Sequence, residues 1–346
     1  MQGASILAPL PYALCLAPCA RCENDLTDLT STLIRSMTTK FDNILIITDI
    51  EGSSGCWNYR GSSFMTAEWG RACVEMSLDV NAVVRGLFEA GVKHITVKDF
   101  HRTGYNLLSE LIDPRAQVVL GYKRGPVPGI GDPGNSQAVM FLGMHAASGT
   151  EGFMAHTLTS GISWLEVNRK PLAEIELFSA SLAPYGVRPI FFSGCPTACA
   201  QARAAIRKIN SYPIDKSAGP DLFDADSWRS GLVSAALASL NNVATEPYTP
   251  SGPFQAEVTW RGGDIAAQNL ARRWGFDQEG ARIFIEAADI HALYRDLIKL
   301  CYLTPLTERI LPFGLFLYNL TGRVGLAWAR RRLKKDKYLP LSRRRR

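Results

Sequence analysis

Short runs of apolar, β-branched residues alternate along the chain with longer stretches in which apolar residues recur every three or four positions. Asn43–Thr48 (NILIIT) has the length and branching of a strand buried on both faces. Over residues 67–90 the apolar positions Ala72, Met76, Val80, Val83, Val84 and Leu87 keep helical spacing, and Gly91 ends the run. Further strands are expected at 94–97, 117–120, 138–142 and 189–192. Helices are expected at Glu174–Leu182 and at 196–209, the second opening with Pro196 in its first turn. Strand–helix alternation with short links predicts an α/β fold, a mostly parallel sheet with flanking helices. Past Pro213 the chain turns polar and Pro/Gly-rich as far as Pro253, with one helical segment at 227–241. A smaller α+β region follows and ends in a helix at 287–300. The expected organisation is an N-terminal extension over 1–40, an α/β domain over 41–212, a smaller α+β domain over 213–303, and an apolar segment with a polybasic tail over 304–346.

Composition narrows the class. Of 346 residues 47% are hydrophobic and 20% charged, so the chain can bury a sizeable core and is neither disordered nor fibrous. The net charge is +6, but residues 330–346 hold ten bases and one acid, a local +9 that leaves the rest at −3. Confining the positive charge to one tail excludes a basic nucleic-acid-binding body. Eight cysteines are too few for a disulfide scaffold, which points to a reducing, cytoplasmic setting. Three of them, Cys15, Cys19 and Cys22, fall in the first 22 residues, with no second pair at zinc-finger spacing. Residues 1–22 are apolar without the positive flank of a signal peptide. They are expected to be a disordered leader, or sequence upstream of a start at Met37.

Three of the apolar runs end in the same chemistry. NILIIT is followed by Asp49-Ile50-Glu51-Gly52, the run at 94–97 by Lys98-Asp99-Phe100-His101, and the run at 138–142 by Gly143-Met144-His145. Positions two apart on an extended segment share a face, so Asp49 pairs with Glu51 and Asp99 with His101. In an open parallel sheet the carboxyl ends of the strands lie along one edge, where ligands bind. Carboxylates and imidazoles from three strands should therefore converge, and His156 follows His145 by only eleven residues. Mixed carboxylate and imidazole ligands suit zinc or a similar divalent ion, and a carboxylate can bridge two of them. Without a cation such clustering would cost repulsion between like charges.

At this point the residues resemble the DppA-type D-aminopeptidases, a family of zinc metallopeptidases. The likeness rests on five ordered blocks: TDIEGSSG (48–55), KDFHRTGYNLL (98–108), FLGMHA (141–146), MAHT (154–157) and NRKPLAEIEL (168–177). The resemblance implies that Asp49, Glu51, His101, His145 and Glu174 bind two zinc ions, with Asp49 as the bridge. It implies that His156 is the catalytic histidine, a proton shuttle or nucleophile beside the metals. It further implies release of N-terminal residues, including D-residues, from short peptides by a ring-like homo-oligomer with an enclosed site. The second half departs from the family pattern: Gly194-Cys195-Pro196 stands where acidic residues follow Gly, and the Lys-containing segment and Ser-Arg pair are not matched around 216–228. Two other readings keep the metals: hydrolysis of another amide or a phosphoester bond, or a catalytically weak metal-binding subunit assembled at a membrane.

Other signals add less. Residues 129–134 match GxGxxG but precede a strand, and Pro133 would obstruct a phosphate-binding helix start. Cys195 and Cys199 read as packed or capping residues, and Trp57, Trp69, Trp164 and Trp228 as core. Residues 310–328 are apolar and aromatic but interrupted by Pro312, Gly314, Gly322 and Gly325, too broken to span a bilayer. The basic run behind them suits peripheral attachment to an anionic surface such as the inner face of a membrane. The alternative is that the apolar part packs on the protein body.

Overall fold

The computed structural model describes residues 41–341. The expectations for residues 1–40, including Cys15, Cys19, Cys22 and a start at Met37, and for the arginines at 343–346 lie outside the described residues. In chain order the strands are β1 (Asn43–Thr48), β2 (His94–Asp99), β3 (Gln117–Val119), β4 (Ala138–Met144), β5 (Ile162–Val167), β6 (Lys170–Pro171), β7 (Arg188–Gly194), β8 (Asn210–Pro213), β9 (Phe254–Trp260), β10 (Asp277–Glu279) and β11 (Arg282–Ala287). The helices are α1 (Tyr59–Ser62), α2 (Ala67–Glu89), α3 (Glu174–Leu182), α4 (Pro196–Ala205), α5 (Ala225–Ser239), α6 (Gly263–Trp274), α7 (Ile290–Tyr302), α8 (Pro305–Arg309) and α9 (Leu311–Lys335).

Six strands form a wholly parallel sheet in the order β3-β2-β1-β4-β7-β8. The α/β expectation holds, with the five expected strands shifted at their boundaries by at most two residues. β8 is not among the expected strands, and the helix expected at 196–209 ends at Ala205 ahead of it. The chain runs outward from β1 to β2 and β3, then returns to β4 on the other side of β1. That reversal opens a crevice at the carboxyl ends of β1 and β4. Strand β1 is buried on both faces because its side chains alternate. Ile44 and Ile46 join Met76, Val80 and Val83 of α2 and Leu232 of α5 in one core. Leu45 and Ile47 join Phe141 of β4, Phe178 of α3, Val258 of β9 and Leu293 of α7 in another. Each such side chain, removed from water, contributes roughly 1.5–3 kcal/mol.

A second, antiparallel sheet has the order β10-β11-β9-β5-β6. Both layers draw on both sides of residue 213. The second takes β5 and β6 from before it, while α5, after it, packs on α2 and β8 of the first layer. The two layers are thus interleaved in sequence, with no spatial boundary at 212/213.

The C-terminal apolar segment forms one continuous 25-residue helix, α9, despite its proline and glycines. Pro312 lies in the first turn, where its missing N–H costs nothing. Gly322 and Gly325 sit on the face buried against the body, with Leu326 and Ala329. A Cβ at Gly322 would lie 2.2 Å from Tyr105 Cδ2, and one at Gly325 2.1 Å from Phe64 Cζ. These glycines permit close packing; they do not break the helix. Asn319 fixes the rotation, its Oδ1 accepting from Tyr122 N and its Nδ2 donating to Tyr122 O, both at 2.8 Å. Trp328 stacks over Trp69 at 6.4 Å between ring centroids. No described helix is long and apolar enough to cross a membrane.

Gly322→Val should therefore lift α9 from the body, whereas Gly314→Val, where an added Cβ meets nothing within 4 Å, should not. Overpacking of this kind costs about 1–3 kcal/mol. Limited proteolysis checks it: cleavage within 311–335 should accelerate in the first variant only, and equal rates in both would show that the glycines do not govern docking.

Candidate metal centre

The site grows out of the crevice between β1 and β4. Past Thr48 the chain stays bonded to β4, with Asp49 N donating to Leu142 O (2.8 Å) and Gly52 N to Gly143 O (2.7 Å). Gly143 has φ +76°, and a Cβ there would sit 2.1 Å from Asp49 O. A Cβ on Gly52 would sit 2.3 Å from Met144 O. Only glycine at both positions allows this approach, and it sets Asp49 directly against His145.

Asp49 faces two imidazoles at once. Its Oδ1 is 2.9 Å from His101 Nδ1 and its Oδ2 is 3.2 Å from His145 Nε2. Glu51 Oε2 reaches the same His101 Nδ1 at 3.1 Å, and Glu174 Oε2 lies 3.6 Å from His145 Nε2. The His156 ring stacks on His145 at 3.7 Å between centroids and 13° between planes. Two groups of potential ligand atoms result, Asp49–Glu51–His101 and His145–His156–Glu174, each gathered within 4.8 Å. All six residues expected from the sequence lie together, five of them buried and His156 half-buried.

The second nitrogen of each histidine identifies what the first one faces. His101 Nε2 lies 2.9 Å from Ser62 O, His145 Nδ1 3.1 Å from Ala146 O and His156 Nδ1 2.9 Å from Met154 O. A carbonyl only accepts, so each of these nitrogens carries the proton. A neutral ring then turns a bare lone pair toward the carboxylates in His101 and His145, an arrangement of acceptors against acceptors. A cation between them resolves it, and a backbone carbonyl behind a ligating imidazole is the usual support. Glu51 Oε2 and His145 Nε2 are buried without a hydrogen-bond partner among the described residues, as ligand atoms would be. The residues fit a divalent metal pair.

Without a metal the same demand for positive charge falls on the His101 and His145 rings themselves, which are held in the doubly protonated form. Burial alone would push both imidazoles down, but Glu51 and Asp49 hold His101 well above the usual histidine range. Glu174 and Asp49 likewise raise His145 to about 10. Asp49 is held well below the carboxylate range because bonds and charge from both histidines outweigh its burial. Burial lifts Glu174 to about 7, and burial together with a charged His145 lowers His156 to about 4. The pocket demands positive charge at two places.

The supporting shell explains why these side chains are held. Asp99 does not face the metal pocket. Its carboxylate accepts from Asn106 N, from Asn106 Nδ2 at 2.9 Å and from Leu107 N at 2.9 Å, while Asn106 Nδ2 also donates to His101 O at 2.7 Å. It therefore shapes the loop that carries His101. Left-handed backbone follows His101 at Arg102 (φ 47°) and flanks His156 at Met154 (φ 52°) and Leu158 (φ 61°). Such conformations are costly for residues with a Cβ and gather at functional sites. Glu174 opens α3, and its Oε1 accepts from Leu158 N at 2.6 Å. No spacing in the sequence would have singled it out.

Two basic residues that the sequence pattern did not reveal hold the loop after Glu51. Lys216 Nζ donates to Glu51 O (2.6 Å), Ser53 O (2.8 Å) and Cys56 O, and lies 4.3 Å from the Phe153 ring centroid. Arg229 donates to Asp79 Oδ1 (2.7 Å), to Ser54 Oγ (3.0 Å) and to Glu75 Oε2. Tyr338 Oη and Leu341 N, beyond α9, close on the second oxygen of Glu75 at 2.9 and 2.8 Å. Removing one partner from a buried charge pair typically costs about 3–5 kcal/mol, so this cluster is a strong clamp. Beside it, Phe153, Cys195, Pro196, Thr197, Ile214 and Lys216 line a cavity of about 280 Å³. Burial pushes the Cys199 thiol up to about 11, which suits packing and not nucleophilic work.

Comparison with known proteins places the chain. The sequence pattern of the D-aminopeptidase family matches residues 43–297. A D-aminopeptidase of Bacillus subtilis (strain 168) is 26% identical over 208 residues, covering 58% of this chain and 75% of that protein. The fold matches the solved structure of the Zn-dependent D-aminopeptidase DppA from Bacillus subtilis, described as a self-compartmentalizing protease. That match has a TM-score of 0.68 and 19% identity, and covers 75% of this chain and 97% of the other. With the family pattern spanning most of the chain and running through every residue of the metal centre, the protein belongs to the D-aminopeptidase family of metallopeptidases.

Proposed function

We propose that the protein is a two-zinc aminopeptidase that releases N-terminal residues, D-residues among them, from short peptides. The observation that carries this reading is Asp49, one carboxylate with an oxygen toward each of two adjoining ligand groups. Glu51 and His101 would complete one zinc site and His145 and Glu174 the other. When bound, the ions supply Lewis acidity toward the scissile carbonyl and acidify water. The chain's own residues do the rest. Asp49, fixed by both histidines, sets the spacing between the sites, and Lys216 keeps the Glu51 carbonyl and its loop in place. His156 has Nδ1 tied to the Met154 carbonyl, which leaves Nε2 free to take a proton and return it to the departing amine. Zinc and the D-aminopeptidase activity of the relatives support this reading, as does the self-compartmentalizing description of the structural relative for a homo-oligomeric ring with an enclosed site.

Purified protein should hold two zinc ions per chain by elemental analysis, since five ligands exceed the four of a single tetrahedral site. Asp49→Ala should lose both and His145→Ala one; metal content equal to wild type in these variants would overturn the ligand assignment.

His156→Ala should keep its zinc and lower turnover by about 10²-fold or more, the usual scale for a positioned proton carrier. Loss of metal along with activity would place His156 among the ligands instead, and unchanged turnover would remove it from the chemistry.

Peptides with a free amino terminus should be cleaved, and their N-acetylated counterparts should not, in a screen with both chiralities and a phosphoester. Equal cleavage of free and acetylated peptides would defeat the aminopeptidase reading and leave a general amidase. Turnover of the phosphoester alone would change the bond class.

A further inference from the structure

The face of α9 turned away from the body exposes large apolar side chains. Docking through Gly322, Gly325, Leu326 and Ala329, with Asn319 bonded to Tyr122, fixes which side of the helix points out. Phe313, Leu317, Leu320 and Val324, three or four residues apart, form an outward stripe at 57%, 45%, 46% and 57% exposure. Phe316 widens it, and all five are large apolar side chains in contact with solvent, whereas Tyr318 turns back to stack on Tyr122 of the body. Single exposed apolar residues are ordinary, but a contiguous patch on one helix marks an interaction surface.

The same stripe continues into cations. Two and three turns beyond Val324 stand Arg331, Lys334 and Lys335, and Lys337 comes next; none has an ion pair among the described residues. Arg330 and Arg332, by contrast, are held by Glu110 and Asp336. Residues 304–346 contain twelve bases and two acids, Glu308 and Asp336, for a net +10 against −4 on the rest of the chain. That balance decides between occupants. In a parallel two-fold contact the stripe of one copy would meet the stripe of the other with cation facing cation. In an antiparallel one each basic cluster would face the opening of the partner's helix, where Glu308 is the one acid to answer several cations. An anionic bilayer answers both parts, accepting the aromatic and aliphatic side chains at the acyl boundary and the cations among its headgroups. The helix is about 37 Å long at 1.5 Å per residue and is held sideways along its second half, so it would lie in the interface plane.

We infer that the outward face of α9 is a docking surface for an anionic membrane, with the stripe from Phe313 to Val324 inserted at the interface and Arg331, Lys334 and Lys335 on the headgroups. This surface is independent of the metal centre and of the bond that the enzyme cleaves.

The test uses the full chain in its metal-loaded form, sedimented with vesicles of phosphatidylcholine alone or with one-third phosphatidylglycerol, at low and high salt. Binding should require the anionic lipid and fall at least tenfold between 50 and 500 mM salt. Leu317→Ser/Leu320→Ser and Arg331→Glu/Lys335→Glu change only surface positions, so both should keep the parent's melting temperature and each should lose at least tenfold in vesicle affinity. If one pair unfolds the protein, the other alone decides. Equal binding to neutral vesicles, no binding to either, or undiminished binding by the variants would overturn the proposal. So would dissociation of an oligomer by Leu317→Ser/Leu320→Ser, seen by light scattering without lipid, because the face would then belong to a second copy.

Discussion

Three carboxylates, Asp49, Glu51 and Glu174, are buried around two imidazoles, and this concentration of like charge is the condition on which the surrounding structure is arranged. Such a cluster is unfavourable in a low-dielectric interior unless positive charge is set between its members. Its cost explains the expense of what surrounds it: left-handed backbone at Arg102, Met154 and Leu158, glycine-only contacts at Gly52 and Gly143, and two cations behind the loop, Arg229 buried and Lys216 half-buried. Each is individually unfavourable or restrictive. Together they deny the carboxylates any way to relax apart.

Much of this is legible in the sequence. NILIIT, the run at 138–142 and the helical spacing of 67–90 mark out the central layer because strands buried on both faces and long amphipathic helices have strong patterns. Asp49, Glu51, His101 and His145 can be read from their places after those strands, since the carboxyl edge of a parallel sheet gathers the residues just beyond each strand. Glu174 comes only with the family resemblance, because a glutamate in the first turn of a helix is ordinarily solvated and its position alone does not distinguish it.

The second sheet cannot be resolved strand by strand from sequence. β9 is FQAEVTW and β10 only three residues, so their alternation is short and diluted by half-exposed positions. Lys216 and Arg229 escape for a different reason: a cation that clamps a distant loop leaves no periodic trace. Its partners, Glu51 O and Asp79, are 165 and 150 residues away. The glycines of α9 look like interruptions because sequence alone does not distinguish a helix weakened by glycine from one that uses it to touch a neighbour.

The interleaving of the two layers bears on how the protein can be dissected. Every residue of the metal centre precedes residue 175, which makes a fragment ending near 212 look self-sufficient. Such a fragment would keep β5 but lose β9, leaving a bare strand edge and uncovering Leu165 and Val167. It would also shed α5, and with it the arginine that neutralises Glu75 and Asp79 inside the first layer. The chemistry is written in one half of the chain and its foundations in the other, so a cut between them yields an aggregation-prone remnant instead of a minimal enzyme.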